Sequence, residues 1–198
     1  MLQINRRLGR IRSLSRQFSA SMYAGNGVIG IVREHFSEWE RRAPLTPEHV
    51  KSLVRQGIRV NIQPSTKRVF SDMQYEQVGA EITEDLKGAS VIFGVKQVPL
   101  QFLLPEKTYM FFSHVIKAQS QNMALLDECI KQKIRLIDYE CIRAGGTQEG
   151  SRLVAFGGFA GTAGMIDIFQ GIGRRLLAAG FNTPFLNIPQ AYTMHSVQ

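Results

Sequence analysis

Several ionisable side chains stand at the ends of apolar runs, where they could take part in proton transfer or ligand binding. Lys96 ends SVIFGVK, His114 follows TYMFFS and Glu140 ends RLIDYE, while Arg41 and Arg42 lie in the loop after the first apolar run. Open α/β sheets place their chemistry at the carboxyl ends of their strands. His114 is therefore a candidate for acid–base chemistry, and Lys96, Glu140 and Arg42 are its candidate partners.

Each of these residues also has a structural interpretation. A lysine after a buried strand is often a solvated residue, and a lone histidine is often hydrogen-bonded for structural reasons. Glu140 could equally cap the next loop. Residue type and spacing alone leave the catalytic and the structural interpretation open.

Apolar runs and helical patterns alternate along the chain and predict an α/β fold. Strands are predicted at 28–33, 58–62, 90–96, 108–113 and 134–139, and helices at 46–56, 71–79, 118–133 and 156–179. This alternation indicates a Rossmann-like or flavodoxin-like three-layer domain with a mostly parallel sheet, followed by a C-terminal linker helix. In such a sheet the candidate side chains would converge on one edge.

The N-terminal segment differs from the rest in charge. Residues 1 to 18 contain five arginines and no acid, and without these five the chain has 19 basic against 16 acidic residues. The arginines alternate with apolar residues, which predicts a mitochondrial targeting segment over residues 1–26 and a location in the mitochondrial matrix. The alternative is a basic arm that touches nucleic acid; no aromatic stacking platform follows it, so no nucleic-acid partner is predicted.

Cysteine usage and hydropathy exclude other classes of protein. Cys129 and Cys141 have no metal-ligand spacing and are too few for a disulfide framework, which indicates a reducing compartment and no metal site. No apolar run reaches the roughly 18 residues that a membrane-spanning helix needs. Membrane partners are therefore not predicted.

The glycine-rich segment GGFAGTAGMIDIFQGIG, residues 157–173, does not match a dinucleotide-binding loop. It contains no G-x-G-x-x-G, and no acid stands about 20 residues further on to bind a ribose. The segment predicts instead a linker helix in which Gly157 and Gly161 permit close packing. No cofactor-binding residue is predicted within this chain.

Motifs from residue 28 to residue 188 resemble a known group of oxidoreductases. These motifs include IGIVRE, WERRAPLTPEHV, VIFGVKQVP, YMFFSHVIKAQ and NTPFLNI. They are similar to the N-terminal domain shared by alanine dehydrogenases, proton-translocating transhydrogenases and saccharopine-type lysine enzymes. WERR and FFSHVIKAQ resemble in particular the lysine-ketoglutarate reductase part of the mitochondrial alpha-aminoadipic semialdehyde synthases.

The resemblance implies a domain organisation and roles for the candidate residues. Residues 27–156 would form the substrate domain, and residues 157–198 the linker helix and a truncated start of a nucleotide-binding domain. Arg42 would bind a substrate carboxylate, Lys96 and His114 would be the proton-transfer pair, and Glu140 would orient substrate or tune their charges. Gln97 departs from the wider group, in which this position is often acidic.

The reaction implied is that of saccharopine dehydrogenase (NADP, L-lysine-forming), in which lysine and 2-oxoglutarate form an imine that NADPH reduces to saccharopine. NADPH would bind a Rossmann domain that is missing from this chain, so the chain is expected to be a fragment that is inactive alone. Two alternatives are a non-catalytic carboxylate-binding or regulatory module and an alanine dehydrogenase/transhydrogenase-like domain. Oligomeric state is left open.

Overall fold

A computed structural model describes residues 25–194 of the chain. These residues belong to two compact units that meet in the sequence between Ile142 and Arg143. All but the last two residues of the predicted targeting segment lie outside the described residues. Each unit is described separately below.

The first unit contains a six-stranded sheet in which every strand pair is parallel. Its strands are β1 (Val28–Ile31), β2 (Arg59–Ile62), β3 (Glu81–Ile82), β4 (Val91–Phe93), β5 (Thr108–Phe111) and β6 (Arg135–Asp138). Their order, β3-β2-β1-β4-β5-β6, is that of the Rossmann fold and not the flavodoxin order. The predicted α/β class is confirmed, and the strand order reverses between β1 and β4.

Three helices of the first unit connect these strands: α1 (Pro47–Arg55), α2 (Asp72–Glu76) and α3 (Ser120–Lys131). Thr46 and Ser71 begin the first two of these helices through reciprocal capping hydrogen bonds with the residues three positions later. Such caps satisfy backbone N–H groups that have no partner within the helix. The predicted starts of both helices are confirmed.

Helices cover both faces of the sheet. Successive residues of β1 point to opposite faces, so this strand contributes side chains to a core on each of them. On one face Ile31 packs in a cluster with Val50 of α1 and Tyr75 of α2, all of them fully buried. On the other face Val28 shares a cluster with Leu125 of α3. One hydrophobic core thus lies on each face of the sheet, and the predicted three-layer arrangement is confirmed.

Strands β4 and β5 end earlier in the structure than the sequence pattern predicts. β4 ends at Phe93, because the N–H groups of Val95 and Lys96 donate to the Glu34 carboxylate and leave the strand ladder. β5 ends at Phe111, three residues before His114. The two-residue strand β3 was not predicted, since so short an element shows no periodicity.

The second unit contains the helix α4 (Gly157–Ala178) and a following 3₁₀ turn, Pro184–Asn187. The predicted close packing at Gly157 and Gly161 is wrong for the described residues, because a Cβ at either position would meet nothing within 4 Å. Within α4, Gly173 is the closely packed glycine, since a Cβ there would lie 2.7 Å from the carbonyl carbon of Phe185. None of the helices in residues 25–194, α4 included, is long and apolar enough to cross a membrane.

Candidate active site

Glu34 bridges the loops that follow β1 and β4, at the point where the strand order reverses. Its Oε1 accepts the N–H of Val95 at 2.6 Å and its Oε2 accepts the N–H of Lys96 at 2.9 Å. Burial raises the pKa of Glu34 above its ordinary value, and the two backbone donors only partly offset this effect. The carboxylate therefore fixes the backbone of Lys96 where the strand order reverses.

Arg42 lies in the same region and is paired with Glu40. Its Nε donates to Oε1 of Glu40 at 2.8 Å and its Nη2 to Oε2 at 2.7 Å, a bidentate geometry. Burial would raise the pKa of Glu40, but the hydrogen bonds from Arg42 outweigh burial and lower it. A substrate carboxylate would have to share or exchange this partner to bind Arg42.

Lys96 lies three residues beyond the end of β4. Its ammonium lies 5.5 Å from the centre of the Phe36 ring, a cation–π contact. The positive charge of Lys96 also contributes to the lowered pKa of Glu40. The structure thus groups Lys96 with Glu34, Glu40 and Arg42; these four residues are named the β1–β4 cluster below.

His114 and Glu140 meet at the carboxyl ends of β5 and β6. Nδ1 of His114 lies 3.1 Å from Oε2 of Glu140, and Nζ of Lys117 lies 3.3 Å from the other carboxylate oxygen. Burial would raise the pKa of Glu140, but the hydrogen bonds from His114 and Lys117 outweigh it and lower the pKa. In the described part of the chain, His114 makes its side-chain hydrogen bonds with Glu140 and Lys117 rather than with Lys96.

Ser113 and Asp138 are hydrogen-bonded beside the pair of His114 and Glu140. Asp138 accepts the hydroxyl of Ser113 at 2.5 Å and the N–H groups of His114 at 3.0 Å and of Glu140 at 2.8 Å. Both Ser113 and Asp138 are buried. Together with His114, Lys117 and Glu140 they are named the β5–β6 cluster.

Aromatic contacts run from the β5–β6 cluster toward the β1–β4 cluster. The Phe112 ring stacks on His114 at 6.2 Å and meets the Tyr139 ring edge-on at 5.2 Å. Burial raises the pKa of Tyr139, and the negative charge of Glu34 raises it further. The two clusters lie on the same edge of the sheet because their residues stand at or beyond the carboxyl ends of the parallel strands β1, β4, β5 and β6.

Gln97 serves a structural role at this edge. Its amide nitrogen donates to the carbonyl of Ser113 and, at 3.0 Å, to Oδ1 of Asn122 in α3. A carboxylate at this position could not donate either hydrogen bond.

A metal site is not indicated by the described residues. Between residues 25 and 194 there is no group of three or more His, Cys, Asp or Glu side chains that could hold a metal ion.

Five residues of the two clusters were not identified from the sequence: Glu34, Glu40, Ser113, Lys117 and Asp138. Glu34 and Asp138 stand at or just beyond the carboxyl end of a strand and accept backbone N–H groups, and Ser113 donates its hydroxyl to Asp138. The sequence signal that could have identified Glu34 and Asp138 is a polar residue at the end of an apolar run. In IDYE, for example, Asp138 precedes Glu140 by two positions. The sequence did not show that these oxygens bind backbone N–H groups of neighbouring strands.

Comparison with known proteins supports the family resemblance of the sequence. The family model described as "Alanine dehydrogenase/PNT, N-terminal domain" matches residues 30–163. The chain is 48% identical over 194 residues to "Alpha-aminoadipic semialdehyde synthase, mitochondrial" of Bos taurus, which covers 97% of this chain and 20% of the relative. It is 32% identical over 131 residues to "Saccharopine dehydrogenase [NAD(+), L-lysine-forming]" of Emericella nidulans, covering 63% of this chain and 34% of the relative.

A solved structure described as L-alanine dehydrogenase shows the same fold. It has a TM-score of 0.51 and 24% identity, and the match covers 60% of this chain and 34% of that one. The chain spans about a fifth of the length of the Bos taurus relative. Since the family model matches well over half of the residues, the chain belongs to the alanine dehydrogenase/PNT N-terminal domain family.

Proposed function

We propose that this chain is the substrate-binding domain of a lysine-degrading oxidoreductase. The reaction would join lysine and 2-oxoglutarate as an imine, which hydride from NADPH reduces to saccharopine. The observation that carries the proposal is the imidazole of His114, held by a buried carboxylate at the carboxyl edge of a parallel sheet. The synthase and saccharopine dehydrogenase relatives supply the substrate class.

NADPH does not fit the described residues of this chain. Dinucleotides bind where a glycine-rich turn after β1 leads directly into a helix, whose N-terminus faces the pyrophosphate. Here residues 32–46 separate β1 from α1, and the negative charge of Glu34 lies at the reversal of strand order. We therefore assign NADPH to residues outside this chain and expect no turnover by the chain alone.

Proton transfer is the part of the reaction assigned to His114. Nδ1 lies 3.1 Å from the Glu140 carboxylate and 3.5 Å from the Lys117 ammonium, and it cannot donate to the first and accept from the second at once. We assign Nδ1–H to the shorter contact with Glu140, to which the Lys117 ammonium also donates. Nε2 is then the ring nitrogen that accepts a proton from the lysine amine and returns it during loss of water from the carbinolamine. Lys96, whose ammonium lies over the Phe36 ring, is proposed as the second proton-transfer group.

Carboxylate binding is assigned to Arg42, with Glu140 orienting the substrate amine. Saccharopine and 2-oxoglutarate are both anionic at neutral pH, and a guanidinium binds carboxylates in the geometry that Glu40 already shows. The mitochondrial name of the Bos taurus relative and the basic N-terminal segment support a mitochondrial matrix location. An oligomer is compatible with this proposal.

Isothermal titration calorimetry with saccharopine, 2-oxoglutarate and lysine tests the proposal on the 198-residue chain. Saccharopine is expected to bind most tightly because it carries the groups of both substrates, and pyruvate, the control for an alanine dehydrogenase-like domain, is expected not to compete. Mixtures of NADPH, lysine and 2-oxoglutarate should show no oxidation of NADPH with the chain alone. Tighter binding of pyruvate than of saccharopine would reject the proposal.

A further inference from the structure

We propose that Asp138 is a positioning residue that holds His114 and Glu140 in contact with each other. Its catalytic meaning rests on the proposed function, whereas its structural effect on the His114 ring can be measured without any turnover. Asp138 is the last residue of β6 and is 6% exposed.

The two oxygens of Asp138 bind the backbones of both members of the pair. Oδ2 accepts the N–H of His114 at 3.0 Å, and Oδ1 accepts the N–H of Glu140 at 2.8 Å. One carboxylate thereby spans the carboxyl ends of the neighbouring strands β5 and β6. The 3.1 Å contact between the His114 ring and the Glu140 carboxylate depends on both backbones keeping these positions.

The backbone of His114 needs such support because it is in the left-handed conformation, with φ 58° and ψ 9°. A residue other than glycine adopts this conformation at an energetic cost and keeps it only where its surroundings impose it. The bond from its N–H to Asp138 is one such constraint, and the stacked Phe112 ring is a second. In this conformation Nδ1 of His114 lies 3.1 Å from the Glu140 carboxylate.

A carboxylate fits this position and an amide does not. Three donors converge on Asp138, namely the hydroxyl of Ser113 and the two backbone N–H groups. An asparagine has a single acceptor oxygen, and its NH₂ group would face a backbone N–H in either orientation. Asp138→Asn should therefore release either His114 or Glu140, whereas Ser113→Ala leaves both backbone bonds in place.

Nitrogen-15 NMR of the histidine rings in the full chain tests this proposal. In the unaltered chain the His114 ring, assigned with a His114→Gln variant, should show the Nδ1–H tautomer that Glu140 stabilises. D138N should lose this preference as Glu140→Gln does, and the pKa of Glu140 should rise toward its ordinary value as its hydrogen bond with His114 is lost. S113A should keep both properties.

Two outcomes would overturn the assignment. One is a D138N chain that keeps the Nδ1–H tautomer and the low pKa of Glu140; the other is an S113A chain that loses them as completely as D138N. If D138N does not fold, amide hydrogen exchange of the unaltered chain decides. The N–H groups of His114 and Glu140 should be protected although both lie outside the strands, and rapid exchange of either would reject the proposal.

Discussion

The β1–β4 cluster and the β5–β6 cluster lie on the same edge of the sheet and divide their carboxylates in the same way, but for different partners. In the β1–β4 cluster, Glu34 binds backbone N–H groups and Glu40 binds the guanidinium of Arg42. In the β5–β6 cluster, Asp138 binds the backbone N–H groups, and Glu140 binds the His114 ring and Lys117. The second carboxylate thus holds a guanidinium in one cluster and an imidazole beside an ammonium in the other.

The two uses of a carboxylate have opposite effects on its pKa. Burial dominates at Glu34 and raises its pKa, while hydrogen bonds from His114 and Lys117 dominate at Glu140 and lower its pKa. A group with a raised pKa and a group with a lowered pKa respond to pH in opposite directions. We therefore expect substitutions of Glu34 and of Glu140 to change the pH dependence of stability in opposite directions.

The largest expected effect is on ligand binding, through Arg42→Ala. Loss of charge-assisted hydrogen bonds costs about 1.5–3 kcal/mol, which corresponds to roughly 10–150-fold weaker saccharopine binding. Calorimetry measures the change, with Arg41→Ala as the matched control. Arg41 is an exposed neighbour that donates to the carbonyl of Lys67, so R41A should weaken binding by less than about fivefold. Equal effects of the two variants would show that Arg42 acts only through net charge.

The second largest effect is on stability, through D138N. A buried backbone N–H left without a partner costs about 1–3 kcal/mol of unfolding free energy. Urea unfolding at pH 7 should show this loss for D138N and a smaller one for S113A, which removes one of the three donors to Asp138. Equal stabilities of D138N and the unaltered chain would contradict the hydrogen-bond network of the β5–β6 cluster.

Acid unfolding of Glu140→Gln tests the sign of the Glu140 pKa shift. Because its pKa is lowered in the folded chain, the ionised Glu140 stabilises the fold above its ordinary value of 4.5, and this stabilisation is lost as pH falls through the folded pKa. E140Q should lose about 1 kcal/mol near neutral pH and show a flatter decline below pH 4.5. If urea unfolding shows the same loss of stability with falling pH in E140Q as in the unaltered chain, this interpretation is rejected.

Glu34→Gln is expected to have the smallest effect and the opposite dependence on pH. The pKa of Glu34 is raised in the folded chain, so stability falls as pH rises from 4.5 through the folded pKa, and E34Q should remove this fall. The net change near neutral pH should be below about 1 kcal/mol, since one backbone hydrogen bond is lost while a buried charge is removed. Glu38→Gln, exposed in the same loop, is the control for charge alone. If E34Q changes the pH dependence of stability in the same direction as E140Q, the contrast between Glu34 and Glu140 is contradicted.

The fold could be predicted from the sequence largely because long apolar runs alternate with helical patterns. Thr46 and Ser71 gave the helix starts, and the buried runs gave five of the six strands. Strand order could not be predicted, because it depends on contacts between residues far apart in the sequence. β3 was missed because two residues carry no pattern.

The candidate site was predictable only in part. His114 and Glu140 were both identified as strand-end residues, but their direct contact depends on a left-handed backbone that residue type does not indicate. Arg42 was identified without its partner Glu40, since the pairing is set by the conformation of the loop. Asp138 was missed because an acceptor for backbone N–H groups resembles any other polar residue at a strand end.

An NMR titration of the isotope-labelled 198-residue chain with saccharopine tests whether the substrate binds at the carboxyl edge of the sheet. We expect amide shift changes concentrated at residues 95–97, 112–114 and 138–140, near the carboxyl ends of β4, β5 and β6, and a loss of these changes in R42A. NADPH added alone should leave the same resonances unchanged. Saccharopine-induced shifts confined to other parts of the chain, or shifts at this edge caused by NADPH alone, would show that this edge is not the substrate site.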